Sequence, residues 1–298
     1  MPKFLKVDSV SVYEHSIGYK NLHPLVSVIP YASVTPIHNS LNQYGVYALF
    51  LLENNIEELN YGMGKYDYQA GTLITVAPGQ IGGREDDGNA FEIKGWAMLF
   101  HPDILRGTDL ENKMEQFTYF SYHVNEALFM AEDERETLKC CFELLKDELE
   151  TEDKTNQDKI IVSLIDVILN YCLRFYNRQF KTRKVENSNI LAQFEQILNS
   201  YYKTEKQLEQ GIPSVKYCSE QLFLSTNYFG DLIKKETGNS PNYFIQQFII
   251  NRAKSELISH HSVSQTAYNL GFGSQQSFSR FFKSHTGQTP LEYVKQKN

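Results

Sequence analysis

The spacing of hydrophobic positions changes character along this chain. Between about residues 20 and 100 they come in short blocks, VYALFLL, TLITVAP and FEIKGWAMLF, separated by ENN, YGMGKYDYQAG and GQIGGREDDGN. β-Branched and aromatic residues fit a pleated strand, while Gly, Asn and Asp permit tight turns. No helical pattern of roughly 10–15 residues lies between the blocks, so they predict an antiparallel barrel or sandwich rather than βαβ units, with room for a pocket between sheets. From Leu128 to Leu149 the period lengthens: Leu138, Cys141, Phe142 and Leu145 recur at helical intervals and predict one amphipathic helix. KIIVSLIDVILNYCLRFYNRQF follows as a longer helix. Its apolar coverage exceeds one stripe, so it must pack on more than one side, against its own domain or a second subunit. TRKVENSN reads as a connector, which places two domains at 1–182 and 190–298. The second is helical, with Pro213, Pro241 and Pro290 at its breaks.

Within that second domain one pattern is written twice. LSTNYFGDLIKKETGNSP and GSQQSFSRFFKSHTGQTP align at an offset of 49, which superimposes Ser225 on Ser274, Phe229 on Phe278 and Lys234 on Lys283. The same offset places Thr237 on Thr286, Gly238 on Gly287 and Pro241 on Pro290. Each serine suits a helix N-cap and each glycine a left-handed C-terminus. Phe229, Leu232 and Ile233, or Phe278, Phe281 and Phe282, form a buried stripe. VKYCSEQL and VSQTAYNL precede the two copies as short helices. Short helix, tight turn and capped second helix is the helix-turn-helix arrangement, whose second helix fits a DNA major groove. Two such units joined by FIINRAKSELIS are expected to place recognition helices in successive grooves, about 34 Å apart.

The outward positions differ between copies. Ser274, Gln275, Gln276, Ser277, Ser279 and Arg280 supply polar groups for base edges, with Lys283 in reach of phosphate. The first copy offers Thr226, Asn227, Gly230 and Asp231, backed by Lys234 and Lys235; without a side chain at 230 and with an acid at 231, it reads as the poorer reader. Charge follows the same division. The formal net charge is −7, yet residues 201–298 carry eleven Lys and Arg against seven Asp and Glu, so the basic end is where a polyanion binds.

Residues 205–298 closely resemble the DNA-binding domain of the AraC family of bacterial transcription regulators. The resemblance is carried by Leu222, Leu224–Ser225, Lys234–Lys235, Thr237–Gly238, Arg252–Ala253 and Leu257, then by Ala267, Gly271–Phe272, Ser277–Phe278, Arg280, Phe282–Lys283, Thr286–Gly287, Thr289–Pro290 and Tyr293. It implies a sequence-specific regulator that binds double-stranded promoter DNA, contacts RNA polymerase and forms a homodimer through its middle helices. It also implies that the strand-rich half is a cupin-like sensor barrel for a small-molecule effector. The implied fold class is therefore α+β multidomain: a cupin-like antiparallel β barrel with a helical dimerisation segment, then an all-α domain with two helix-turn-helix motifs. In a pocket of such a barrel Tyr44, Tyr47, Tyr66, Tyr68 and Trp96 are the candidate ligand contacts.

Candidate chemistry elsewhere is sparse. Cys140, Cys141, Cys172 and Cys218 lack ligand spacing and read as free thiols, and His23, His38, His101 and His123 are scattered, so no metal or cofactor is expected. GMGK in YGMGKYDYQAG lacks the rest of a phosphate-binding loop and reads as a turn. A cupin-type enzyme would account for the first half and leave the repeat unexplained; an effector-independent DNA-binding protein is the other alternative. The N-terminus has no signal-peptide pattern and the apolar runs are short or interrupted, so a cytoplasmic protein without a membrane span is expected.

Overall fold

A computed structural model describes residues 5–61, 64–84, 88–122, 126–182, 190–259 and 262–297. His123 and connector residues 183–189 lie outside the described residues. The chain divides into two units, Met1–Thr182 and Arg183–Asn298.

The first unit opens with β1 (Leu5–Val7), α1 (Val10–Ser16), β2 (Val26–Pro30), β3 (Ile37–His38) and β4 (Leu41–Tyr44). Then come β5 (Tyr47–Leu52), β6 (Ile56–Tyr61), β7 (Gly64–Tyr68), β8 (Thr72–Val76), β9 (Ile81–Gly83), β10 (Ala90–Phe91) and β11 (Gly95–Phe100). After α2 (Asp109–Lys113) and β12 (Leu128–Phe129) the unit ends in two long helices, α3 (Glu132–Glu150) and α4 (Gln157–Thr182).

The expected barrel is not formed. The strands make two open five-stranded sheets, ordered β1-β4-β9-β6-β7 and β12-β8-β5-β11-β2, with β10 and β3 as a separate pair. Among the described residues no sheet closes on itself, because β12 and β2 remain edges of one and β1 and β7 edges of the other. Apolar blocks in the sequence fix which segments are extended, but not whether the last strand returns to the first. Among the described residues all but one of the strand pairings are antiparallel; the exception is β1 with β4.

One core joins the facing sheets. Ala48, Phe50 and Leu52 of β5, Ile74 and Val76 of β8, and Ala97 and Leu99 of β11 meet Val7, Tyr44, Ile56 and Tyr68 from the other sheet. The alternate residues Leu49, Leu51, Leu73, Met98 and Phe100 are also buried, on the opposite face, where α3 packs on β2 and β11 and α4 on β12. Burial on both faces explains why YALFLL is continuously apolar instead of alternating. A helix starting at Leu128 is corrected too, since Leu128–Phe129 pairs with β8 and the helix begins at Glu132. Arg178 on α4 donates to both oxygens of Glu134 at 2.9 and 2.5 Å and to the Phe129 carbonyl at 2.7 Å, tying the end of α4 to the start of α3. Over Gln157–Phe180, α4 is long and apolar enough by length and composition to cross a membrane. One side of it, Ile161, Ile165, Ile168, Leu169 and Cys172, is instead buried inside the unit.

The elements of the second unit are all helices among its described residues: α5 (Ile190–Lys203), α6 (Lys206–Gln210), α7 (Val215–Gln221), α8 (Thr226–Thr237), α9 (Pro241–Ile258), α10 (Val263–Asn269), α11 (Gln275–Thr286) and α12 (Pro290–Lys297). Its core is built from Phe194, Leu198, Phe229, Ile233, Ile249, Leu270, Phe278 and Phe282.

Candidate nucleic-acid interface

Each of the four helices in the repeated units is capped by a serine hydroxyl that accepts an amide three residues on: Ser214 for α7, Ser225 for α8, Ser262 for α10 and Ser274 for α11. The far ends of α8 and α11 close alike. Gly238 and Gly287 are left-handed at φ 77° and 80°, and their amides donate to Lys234 and Lys283 carbonyls at 2.8 and 2.9 Å. The preceding threonines reach back to Ile233 and Phe282 carbonyls at 2.7 and 2.8 Å. The repeated Thr-Gly pair is thus a helix terminator.

The turns are not copies. Ser214 and Ser262 lie 48 positions apart, whereas Ser225 and Ser274 lie 49 apart, so the second turn holds one extra residue. Both start with the same closure: Phe223 and Leu224 amides donate to Glu220 and Ser219 carbonyls, as Gly271 and Phe272 amides do to Tyr268 and Ala267. The left-handed position is Gly271 at φ 85° in one and Phe223 at φ 57° in the other. Phe223 is 83% exposed, making it the most open large apolar side chain among the described residues. The single-offset alignment hid this difference, because it matched Phe223 with Phe272.

The outward faces carry the polar groups. Tyr228, Phe229, Leu232 and Ile233 of α8, and Phe278 and Phe282 of α11, are buried. Opposite them Thr226, Asn227, Lys234 and Lys235 on α8, and Gln275, Gln276, Ser277, Arg280 and Lys283 on α11, are exposed; Ser274, Gly230, Asp231 and Ser279 are half-buried. Among the described residues the side chains of Gln275, Gln276, Arg280 and Asn227 make no hydrogen bond or ion pair, so their donors and acceptors are uncommitted. Asp231 and Lys235 each take part in an interaction within the fold. Ser277 Oγ lies 2.9 Å from Ser274 Oγ, and Thr226 Oγ1 3.2 Å from Ser219 Oγ. The thiol of Cys218, in α7, is buried and pushed up to about 12 by desolvation, which keeps it inert. Helix α9, which links the two helix-turn-helix copies, spans about 27 Å at 1.5 Å per residue.

Residues 218–296 match the helix-turn-helix domain family. The second unit contains a helix-turn-helix domain. The chain is 33% identical over 84 residues to an uncharacterized transcriptional regulatory protein, YesN, of Bacillus subtilis (strain 168), over 27% of this chain and 23% of that protein. It is 29% identical over 147 residues to the probable transcriptional regulator LumQ of Photobacterium leiognathi, over 49% of this chain and 56% of LumQ. It therefore spans about a quarter of one of these curated relatives and just over half of the other. Among solved structures, a transcriptional regulator with an AraC-type DNA-binding domain from Chromobacterium violaceum is 23% identical, covering 33% of this chain and 89% of that one with a TM-score of 0.28. The chain is thus distantly similar to transcription regulators.

A second site lies within the first unit. A cavity of about 70 Å³ is lined by Tyr13, Tyr31, Tyr44, Asn42, Phe50 and Arg84 together with aliphatic side chains. The hydroxyls of Tyr13 and Tyr31 are 2.7 Å apart, and burial pushes both phenols up from their ordinary value. Asn42 Nδ2 donates to the Tyr44 hydroxyl at 3.2 Å, while Asn42 Oδ1 is buried and accepts no hydrogen bond among the described residues. Of the five aromatic candidates, Tyr44 lines the cavity and Tyr68 is buried in the adjoining core. Tyr47 stacks on Phe100, and Trp96 lies by Phe142, both on the other face of the sheet. The Tyr66 side chain lies outside the described residues. Tyr13, Tyr31 and Asn42 carried no sequence signal, since Tyr13 and Tyr31 lie in short helical segments and Asn42 in a four-residue strand, outside the long apolar blocks. Among the described residues no group of three or more His, Cys, Asp or Glu is placed to hold a metal ion.

Proposed function

We propose that this chain is a sequence-specific transcription regulator that binds double-stranded promoter DNA through α8 and α11 under the control of a small-molecule effector in the first unit. Residues 190–298 are assigned to DNA and 1–182 to sensing and dimerisation. The observation that carries the reading is the capped, duplicated helix pair whose second copy holds Gln275, Gln276 and Arg280 outward and uncommitted. Such side chains match adenine and guanine edges, and Lys234, Lys235 and Lys283 match phosphate. A duplex selected by the full chain from fragmented genomic DNA tests this. Arg280→Ala is expected to weaken that duplex by about 1–3 kcal/mol and relax its sequence preference. Unchanged affinity and preference would refute the assignment of Arg280 to base recognition.

The effector reading rests on the cavity. Its walls are mainly apolar, and Asn42 Oδ1 stands as an unused acceptor, which fits a small ligand with an apolar body and one hydrogen-bond donor. A metabolite that raises the melting temperature of the full chain and changes its affinity for the selected duplex supports it; a chain that binds DNA constitutively, whatever is added, favours the effector-independent reading. Homodimerisation is assigned to α4, where Ile160, Leu164, Val167 and Tyr171 recur at 4-3-4 spacing and Ile160 and Val167 are 41% and 44% exposed. Sedimentation of the full chain as a monomer at all concentrations would remove this part. In the cytoplasm, such a dimer on a promoter meets RNA polymerase, its expected protein partner.

A further inference from the structure

We infer that Gly230 is where the first recognition helix comes nearest to DNA, and that its missing side chain sets how deeply α8 seats and lets Asn227 reach a base edge. The inference rests on the DNA-binding reading above and adds to it a second mode of recognition. Gly230 lies in the interior of α8, on the side away from the buried Tyr228, Phe229, Leu232 and Ile233, one turn beyond Thr226 and Asn227 and one turn before Lys234. Glycine is the poorest helix residue after proline, so a helix interior keeps it at a cost. Nothing among the described residues explains that cost. No atom lies within 4 Å of where a Cβ would sit, and the backbone there is not left-handed.

Two glycines elsewhere show what an internal reason looks like. A Cβ on Gly83 would fall on the Ser40 carbonyl, and one on Gly271 would come within 2.8 Å of the Gln207 carbonyl oxygen. At Gly230 the space is open to solvent, and the remaining use of a bare backbone is close approach by something outside the chain. The two recognition helices then work differently. At the matching positions α11 carries Ser279 and Arg280, and its arginine spans the distance to a base. The outward groups of α8 at its start, Thr226 and Asn227, are short. An asparagine pairs with adenine N6 and N7 only when its own backbone lies close to the groove floor. A helix that is bare one turn further on can lie that close.

The test uses the full chain and the duplex that it recovers from a randomised library. Gly230→Ala is expected to raise the melting temperature of the second unit by a few degrees, since alanine favours the helix. The same variant is expected to bind the recovered duplex about tenfold more weakly, with an unchanged dependence of affinity on salt, because no charge is lost. Asn227→Ala is expected to cost a similar factor, and the double variant no more than either alone, since both remove one contact. Affinity of Gly230→Ala within about twofold of the parent overturns the inference. Additive losses overturn the link to Asn227. Should Arg280→Ala weaken binding while Gly230→Ala does not, this inference falls and the DNA-binding reading stands; a parent chain that recovers no duplex removes both.

Discussion

Adding one methyl group at Gly271 probes how the second helix-turn-helix is held. At φ 85° an L-residue is strained by about 1–2 kcal/mol. The new Cβ would also lie 2.8 Å from the Gln207 carbonyl oxygen, 2.9 Å from the Gly211 carbonyl carbon and 3.1 Å from Gln207 Cβ. Those are mostly backbone atoms, and they are pinned. The Gln207 carbonyl accepts the Gly211 amide at 3.1 Å, its side-chain amide donates to the Asn269 carbonyl at 3.1 Å, and the Tyr202 hydroxyl donates to the Leu270 carbonyl at 3.2 Å. Overpacking at such a place costs about 1–3 kcal/mol, so Gly271→Ala should destabilise the second unit by about 2–5 kcal/mol in all. Its melting temperature should fall on the order of 10 °C. Phe223→Gly at the equivalent left-handed position should act oppositely: relief of strain, less the entropy cost of glycine, leaves a gain of about 0.5–1 kcal/mol. Far-UV ellipticity of the full chain follows the helices of both units, while Trp96, the one tryptophan, follows the first unit, so a loss of ellipticity without a Trp96 change reports the second. A Gly271→Ala chain that melts with the parent's midpoint, or a loss that appears equally in the Trp96 signal, would refute the reasoning.

Two further outcomes follow from the first unit. Arg178→Ala leaves the Glu134 carboxylate, 10% exposed at its side chain, without its guanidinium partner and should cost about 2–3 kcal/mol in urea unfolding followed at Trp96; an unchanged midpoint would show the pair to be dispensable. Burial holds the Glu14 carboxyl above its ordinary 4.5, against the opposing hydrogen bond of Asn21, so the folded state favours the protonated form. Its contribution is present below pH 4.5 and is lost as pH rises through the raised value. Glu14→Gln should therefore gain stability at neutral pH and flatten the pH dependence measured by the same unfolding; a parallel shift at all pH values would exclude titration of Glu14 as the cause.

Much of the second unit was legible because its determinants are local. A serine three residues before an amide, a Thr-Gly pair after the last helical residue, and phenylalanines at helical spacing each act within one or two turns. Caps at Ser225 and Ser274 and terminators at Gly238 and Gly287 could be read directly. The sheets resisted for the opposite reason. Strand identity in VYALFLL is a local property, but closure depends on which edges meet, and β12 and β2 carry no mark saying that they remain apart. Faces were equally hidden: with both sides of β5 and β11 buried, no alternation separates Phe50, toward the cavity, from Tyr47, away from it. The one-residue difference between turns escaped because Phe223 and Phe272 share a letter while standing at different points of the closure.

That difference limits what can be exchanged between the two halves of the domain. A chimera that replaces α11 with α8 from its cap onward inherits a linker of unchanged length and keeps the Gly271 closure. One that moves the whole turn instead brings Phe223 into a place where even a methyl group collides with the Gln207 and Gly211 backbone. Helices α8 and α11 can therefore be exchanged at their capping serines, Ser225 and Ser274, but not at the ends of the helices before them, so a new outward face is to be installed downstream of the turn.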